Sequence, residues 1–146
     1  MILPDVNLLI YAYNSGDERH PAAKAWLAGL FDGASPFGLS WLTISGFLRI
    51  VTAAQFFGDR FSAIEALEIV EEWLEHPNVI LLSPTSKHFQ IFKEQVLASD
   101  IKGSNFTDAH IASLAIEHNA TLATNDQDFR KFTGLKLIYP LKPSKK

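Results

Sequence analysis

Three aspartates that lie far apart in this chain of 146 residues each occur where an apolar, strand-like segment stops or a helix begins. They are Asp5 in Met1-Ile-Leu-Pro-Asp5, Asp108 in Phe106-Thr-Asp-Ala109 and Asp126 in Leu122-Ala-Thr-Asn-Asp126. In an open α/β sheet, the strand ends and the adjoining helix starts meet at one edge, where ligands bind. Carboxylates gathered there would repel one another without a cation, and their hard oxygen atoms favour Mg²⁺ or Mn²⁺. The three acids therefore predict a metal-dependent enzyme that acts on phosphodiester bonds.

Each aspartate also has a purely structural interpretation. Asp5 can cap the helix that follows it, and Asp108 can stabilise the positive end of its own helix. Asp126 and Asp128 are typical turn residues, because aspartate side chains hydrogen-bond to nearby backbone groups. Asp5 is the least ordinary of the four, since it lies in an apolar segment expected at the centre of the sheet, where an unpaired charge is costly. On the residues alone, structural roles and a shared acidic site both remain open.

The elements that must position these acids alternate between strands and helices along the chain. We expect strands over 1–4, 37–41, 78–82, 121–124 and 135–139, and helices over 6–13, 20–31, 43–54, 62–76, 86–98 and 107–118. This alternation is typical of a parallel sheet covered by helices on both faces. The predicted fold class is therefore α/β, a three-layer α/β/α sandwich with a central, mainly parallel sheet.

Two segments give the most detailed local predictions. The helix over 62–76 starts with the capping-box pair Ser62 and Glu65. Its predicted apolar stripe consists of Ile64, Leu67, Val70, Trp73 and Leu74. The run Val79-Ile-Leu-Leu82 is continuously apolar, which predicts a strand covered on both faces of the sheet.

Composition indicates an ordinary globular protein. Hydrophobic residues make up 47% and charged residues 20% of the chain, which argues against disorder. No apolar stretch approaches the roughly 20 residues of a membrane span, and the segment 1–5 lacks the basic start of a signal peptide. The absence of cysteine excludes disulfides and a cysteine nucleophile, and is compatible with the predicted cytoplasmic location. We expect one domain over 1–141 and a frayed basic tail over 142–146.

Net charge limits the kind of nucleic-acid binding that this chain can perform. The formal charge is −3, whereas proteins that bind by neutralising many phosphates are usually basic. The charge therefore counts against tight non-specific binding, but it allows an enzyme that makes a few local phosphate contacts.

Four segments, spread over nearly the whole chain, carry a family resemblance. They are Leu3-Pro-Asp-Val-Asn-Leu-Leu-Ile-Tyr11, Ser45-Gly-Phe-Leu-Arg-Ile-Val-Thr52, Thr107-Asp-Ala-His-Ile-Ala112 and Leu122-Ala-Thr-Asn-Asp-Gln-Asp-Phe129. Together and in this order, they resemble the PIN-domain ribonucleases, and in particular the VapC-type toxins of type II toxin–antitoxin pairs. The resemblance implies a single PIN-like domain over 1–141 and a metal-dependent endoribonuclease.

The resemblance also assigns roles to individual residues. Asp5, Asp108 and Asp126 match the family's metal-binding and catalytic acids. Asn7, Thr124 and Asp128 match supporting polar positions, and such groups orient metal ligands. The implied cofactor is Mg²⁺ or Mn²⁺, which would activate a water for in-line attack on an RNA phosphorus. The implied partners are RNA, a VapB-like antitoxin and a second copy of the chain in a homodimer.

One departure from the family pattern affects the expected metal content. Many family members carry a glutamate in the helix after the second strand, but here the chain reads Thr43-Ile-Ser-Gly-Phe47 and has no acid between Asp32 and Asp59. This places a two-metal site in doubt and predicts one secure ion. Arg49 is the best candidate cation near the site, either as a contact to RNA phosphate or as a structural salt bridge.

Three alternatives remain to be weighed. The missing glutamate also suits a catalytically weakened PIN-fold module that binds RNA or protein. A phosphatase that forms an aspartyl-phosphate on Asp5 is disfavoured, because such enzymes commonly need a second aspartate where this chain has Asn7. A ribonuclease with paired histidines as acid and base is disfavoured too, because the five histidines are scattered and predict no set.

Overall fold

All strands in the described part of the chain lie parallel in one sheet. The structure is a computed structural model that describes residues 1–53 and 60–141. The strands are β1 (Ile2–Pro4), β2 (Phe37–Leu39), β3 (Val79–Leu81), β4 (Thr121–Ala123) and β5 (Lys136–Ile138). Their order across the sheet is β3-β2-β1-β4-β5. The helices are α1 (Val6–Tyr13), α2 (His20–Asp32), α3 (Trp41–Val51), α4 (Ala63–Glu75), α5 (His88–Ala98) and α6 (Asn105–Glu117). A short 3₁₀ helix over Gln127–Lys131, which was not predicted, follows β4.

The centre of the sheet is the place where its strand order reverses. From β1 the chain passes to β2 on one side, and after β3 it crosses to β4 on the other side of β1. The two central strands pair from Ile2 opposite Thr121 to Pro4 opposite Ala123. In open α/β sheets, ligands bind at the carboxyl ends of the strands beside such a reversal. The segments that follow β1 and β4 contain Asp5 and Asp126.

Two apolar clusters pack on opposite faces of this sheet. Leu3 and Leu122 belong to the cluster beneath α6, whereas Leu39, Phe47 and Trp73 belong to the cluster formed with α1–α4. Successive strand residues point to opposite faces, and in β1 Leu3 belongs to the first cluster while Ile2 packs against the second. The predicted three-layer α/β/α sandwich with a parallel sheet is confirmed.

Helix α4 confirms one local prediction and corrects another. The capping box is formed: the Glu65 amide donates to Ser62 Oγ at 3.1 Å, and the Ser62 amide donates to the Glu65 carboxylate at 2.9 Å. The predicted apolar stripe is wrong for Ile64, Leu67 and Leu74, which are exposed. The buried face is formed by Ala66, Val70 and Trp73, whose spacing of four and three residues follows one helical stripe.

Strand β3 also differs from its prediction. Its apolar run predicted cover on both faces, but Ile80 and Leu81 are each more than one-third exposed. These residues are exposed because β3 lies at one edge of the sheet. Other element boundaries differ from the predicted ones by a few residues. Helix α3, for example, begins directly after Ser40, whose side chain accepts a hydrogen bond from the Thr43 amide. The predicted end of that helix at 54, and the tail 142–146, lie outside the described residues.

Within residues 1–53 and 60–141, no helix is both long and apolar enough to cross a membrane.

Candidate active site

Asp5 lies directly beyond the end of β1 and is tied to both neighbouring elements. Its backbone amide donates to the Ala123 carbonyl at 2.8 Å, which continues the pairing of β1 with β4. Its carboxylate oxygen Oδ1 accepts a hydrogen bond from the Val6 amide at 2.7 Å, so Asp5 does cap helix α1. The residue is only 9% exposed. Capping therefore holds one carboxylate oxygen at the sheet edge without excluding a second role.

Thr124 connects three of the predicted site residues. Its hydroxyl is fully buried, donates to Asp5 Oδ2 at 2.7 Å and accepts from the Asp126 amide at 3.0 Å. The Asn7 side-chain amide lies 3.4 Å from the same hydroxyl oxygen as a further donor. Asn7 Oδ1 is buried and has no hydrogen-bond partner among the described residues. Thr124 thus fixes the orientation of Asp5 and leaves one polar oxygen of Asn7 available.

Asp126 caps the short 3₁₀ helix, as its turn interpretation predicts. Its Oδ1 accepts from the Asp128 amide at 2.9 Å, and its carbonyl accepts from the Tyr139 hydroxyl at 3.3 Å. Asp128 itself is exposed. One carboxylate oxygen of Asp126 is therefore used in the turn. Its backbone amide contacts the same Thr124 hydroxyl that hydrogen-bonds to Asp5.

Asp108 completes the acidic group from helix α6. It lies in the first turn of α6, and its carboxylate makes no hydrogen bond with a described residue. Burial, followed by the charges of Asp5 and Asp126, raises the pKa of Asp108 to about 6, with the charge of Lys131 opposing the rise. Burial also raises the pKa of Asp5, with hydrogen bonds from Thr124 and Val6 opposing and the charge of Asp126 adding to the rise. The fold therefore brings the three acids into electrostatic contact.

A cleft of about 290 Å³ opens over Asp5 and Asp108. Its far wall is α3, which contributes Thr43, Ser45, Gly46 and Arg49. A side chain at Gly46 would start 3.3 Å from Val6 Cγ2, so this position is crowded as well as uncharged. Arg49 is exposed and forms no ion pair with any residue that the structure describes. The salt-bridge interpretation of Arg49 therefore finds no support, and the cleft has an acidic wall facing a basic one.

The donor set suits a hard divalent cation, although the side chains do not surround one. Carboxylate oxygens and the unpartnered Asn7 Oδ1 are the ligand types that Mg²⁺ takes. No three histidine, aspartate or glutamate residues in the described ranges are placed to enclose an ion. Mg²⁺ usually binds one or two carboxylates directly and keeps several waters. The residues fit an ion held directly by one or two acids, with water linking it to the rest.

Comparison with known proteins identifies the family of this chain. The sequence model of the PIN domain matches residues 2–135. The chain belongs to the PIN-domain family. Ribonuclease VapC33 of Mycobacterium tuberculosis is 35% identical over 142 residues, which cover 97% of this chain and 99% of that protein. Ribonuclease VapC37 of the same species is 32% identical and covers 96% and 97%.

Solved structures agree on the fold of this PIN domain. VapBC2 from Rickettsia felis, bound to a DNA fragment from its promoter, superposes with a TM-score of 0.68 at 22% identity, covering 94% of this chain and 98% of that one. VapC20 of Mycobacterium tuberculosis, described as a sarcin–ricin loop cleaving toxin, superposes with a TM-score of 0.66 at 17% identity and covers 93% and 99%. The family resemblance is confirmed.

The PIN domain also contains a histidine pair that the sequence did not reveal. His88 Nε2 and His110 Nδ1 lie 2.7 Å apart, and His88 Nδ1 contacts Glu117 Oε2. The second oxygen of Glu117 accepts from the Thr85 amide. The prediction that the histidines form no set is wrong for these two, because α5 and α6 pack together and bring residues 22 positions apart into contact.

Glu117 is the anchor of this pair, and its loss should destabilise the domain. Burial raises the pKa of Glu117, but hydrogen bonds from Thr85 and His88 outweigh it and leave the pKa below the usual range. We expect Glu117→Ala to lower the free energy of unfolding by about 1–3 kcal/mol, because two donors lose their acceptor. The loss in free energy of unfolding should be largest near pH 7, and it should shrink as acid protonates Glu117 in the wild type. Urea unfolding at several pH values measures this.

Glu94→Ala is the matched control, because Glu94 is an exposed acid on α5 whose side chain hydrogen-bonds, among the residues described, only to Gln90. An equal loss of stability in the two variants, or a Glu117→Ala deficit that grows in acid, would contradict the anchoring role.

Proposed function

We propose that this protein is a metal-dependent endoribonuclease, the VapC-type toxin of a type II toxin–antitoxin pair. Membership of the PIN-domain family and 35% identity to a protein named Ribonuclease VapC33 support the activity. The observation that carries the proposal is the convergence of Asp5, Asp108 and Asp126 on the strand-order reversal of that fold.

Asp5, Asp108 and Asp126 are the proposed catalytic and metal-binding residues. When held by one or two of these acids, Mg²⁺ or Mn²⁺ would supply a water of lowered pKa and positive charge to offset that of the phosphate oxygens. Thr124 orients Asp5 through its hydroxyl and positions Asp126 through the backbone amide. Asn7 offers its free Oδ1 at the same edge. Asp128 supports the turn of Asp126 and adds negative charge near Asp108.

Arg49 is the proposed contact for the RNA phosphate, because it is a cation without a described carboxylate partner on the wall opposite the acids. We expect Arg49→Ala to raise KM for RNA about 10-fold, the cost of one charge-assisted hydrogen bond. Steady-state cleavage of a labelled RNA measures this. The matched control is Arg60→Ala, since Arg60 is exposed and does not line this cleft. A KM that changes equally in both variants, or in neither, would refute the role of Arg49.

The proposed partners are inferred from solved structures that share this fold. VapBC2 from Rickettsia felis and VapBC-1 from Haemophilus influenzae are toxin–antitoxin structures that share it. We propose that this chain likewise binds a VapB-like antitoxin, acts in the cytoplasm and forms a homodimer. Exposed apolar side chains on α4 and β3, among them Ile64, Leu67 and Ile80, offer area for such protein contacts.

One observation favours the rival function of a non-catalytic binding module, namely that α3 brings no acid to the cleft. Titrating Mn²⁺ while following thermal unfolding separates the two functions. An enzyme site saturated at about 100 times its Kd would gain about 2.7 kcal/mol, or roughly 5–10 °C in Tm for a domain of this size. The Asp5→Asn variant should lose most of that gain. A wild-type Tm that does not change with Mn²⁺ would favour the binding module.

A further inference from the structure

A second cleft, lined by aromatic rings, opens between α5 and α6. We call it the aromatic cleft; its rings are those of His88, Phe89, Phe92, Phe106 and His110. Phe89 is 72% exposed and Phe106 is 43% exposed. Large exposed aromatic side chains that gather in one place usually mark a binding surface.

The aromatic cleft is continuous with the acidic cleft. Leu42 and Thr107 line both, and Thr107 directly precedes Asp108. A chain molecule whose phosphate lies over Asp5 and Asp108 would therefore reach the rings without crossing another element. This continuity points to one extended ligand that occupies both clefts.

Four of the five rings, all except that of Phe89, contact another ring of the cleft before any ligand arrives. Glu117 contacts His88, and His88 contacts His110 at 2.7 Å. The His88 ring stacks on Phe92 with planes 19° apart and centroids separated by 6.1 Å. Phe92 lies 6.2 Å from Phe106. The cleft therefore combines a fixed aromatic platform with histidine nitrogens that can donate or accept hydrogen bonds.

We propose that the aromatic cleft binds an unpaired nucleobase of the RNA next to the phosphate held in the acidic cleft. The proposal rests on the proposed ribonuclease function. Unpaired bases are bound by stacking on exposed aromatic rings and by hydrogen bonds to their edges. This chain carries a net charge of −3, which limits the affinity available from phosphate neutralisation, so stacking contacts to bases would add to that affinity. A protein partner would use the rings equally well, but it would not need a cleft that leads to the acids.

Binding of short RNA with and without bases tests the proposal. The probes are fluorescent, unstructured RNA oligomers of about 12 nucleotides and abasic oligomers with the same sugar–phosphate backbone. The protein carries Asp5→Asn so that RNA stays intact. Three further variants are made in this background. One is the double alanine variant Phe89→Ala with Phe106→Ala, one is the double tryptophan variant Phe89→Trp with Phe106→Trp, and the control is Leu97→Ala. Leu97 is an exposed apolar residue of α5 that does not line the aromatic cleft.

The Asp5→Asn protein should bind the normal oligomer about 5- to 150-fold more tightly than the abasic one, the value of one stacked base. The double alanine variant should lose this preference, whereas the tryptophan and Leu97→Ala variants should keep it. Equal loss of affinity for both oligomers, or an unchanged preference, would overturn the proposal. Loss of self-association or antitoxin binding in the alanine variant, with RNA preference intact, would assign the cleft to protein instead.

The same experiments distinguish an error in the proposed base-binding site from an error in the proposed ribonuclease function. If the wild type cleaves RNA with Mn²⁺ and the preference for bases is absent, only the subsite is wrong. If the wild type does not cleave RNA, the ribonuclease function itself is wrong.

Discussion

Replacing Asp5 by asparagine is expected to lower kcat/KM for RNA cleavage by at least about 10³-fold, the scale of losing one strong electrostatic contact to the reaction. Asparagine caps a helix as well as aspartate does, so its oxygen can still accept from the Val6 amide. The substitution removes a buried negative charge at the point where Thr124 and Ala123 fix the end of β1. Activity should fall while the fold remains. Cleavage of a labelled RNA and circular dichroism of the same samples measure both.

Asp100→Asn provides the matched control for Asp5→Asn. Asp100 is exposed, lies 3.9 Å from Lys102 in a weak ion pair and has φ of 49°, a conformation that asparagine adopts readily. Its replacement should change cleavage less than about 2-fold, as for most surface sites. Undiminished cleavage by Asp5→Asn, or an equal loss in Asp100→Asn, would contradict the assignment of Asp5.

Replacing Asp108 by asparagine is expected to raise stability and to lower activity. In the metal-free protein, burial and the charges of Asp5 and Asp126 raise the pKa of Asp108 to about 6, and no described residue donates a hydrogen bond to its carboxylate. A carboxyl with a raised pKa destabilises the fold when ionised. After discounting for solvent screening, we expect Asp108→Asn to gain about 1 kcal/mol at pH 7. That corresponds to roughly 2–4 °C in Tm, while RNA cleavage falls by at least about 10²-fold.

The pH dependence of this gain has a definite direction. Below the ordinary pKa of 3.8, Asp108 is protonated in both folded and unfolded chains, so the variant has no advantage. The advantage grows as pH rises from 3.8 to about 6 and is complete above that value. Saturating Mn²⁺ should reverse the order of Tm, because only the wild type keeps the full set of acids. Thermal unfolding from pH 4 to 8, with and without Mn²⁺, measures this. A variant that is less stable without metal at pH 7 would show that Asp108 is not repelled by its neighbours.

Local sequence signals predicted the elements around the site well. Helix α1 begins and ends where predicted, because Asp5 supplies its cap directly after a buried strand. The capping box of α4 was equally local. Burial was harder to predict: Ile64 and Leu67 fit a helical stripe, but the packed stripe runs through Ala66, Val70 and Trp73. The sheet order that leaves β3 at an edge is a property of the whole fold.

The candidate site shows the same division between local and tertiary information. The aspartates could be named from strand ends and from the family resemblance, and their assignment as a metal site stays a prediction. The hydroxyl of Thr124 that holds Asp5 joins residues 119 positions apart, so its geometry could not be derived from spacing. The pair of His88 and His110 was missed for the same reason, since only the packing of α5 on α6 creates it.

Because the protein also contains a pair of histidines, the chemistry of the cut RNA ends is the most direct test of whether cleavage depends on a metal at the three aspartates. Histidines acting as acid and base would use the ribose 2′-hydroxyl as nucleophile and leave a 2′,3′-cyclic phosphate without any metal. Attack by a water activated at the acidic site leaves a linear phosphate and stops when the metal is removed. Mass spectrometry of RNA fragments, made with Mn²⁺ or with EDTA, distinguishes the two. We predict linear phosphate ends with Mn²⁺ and no cleavage in EDTA. Cyclic phosphate ends formed in EDTA would contradict the account.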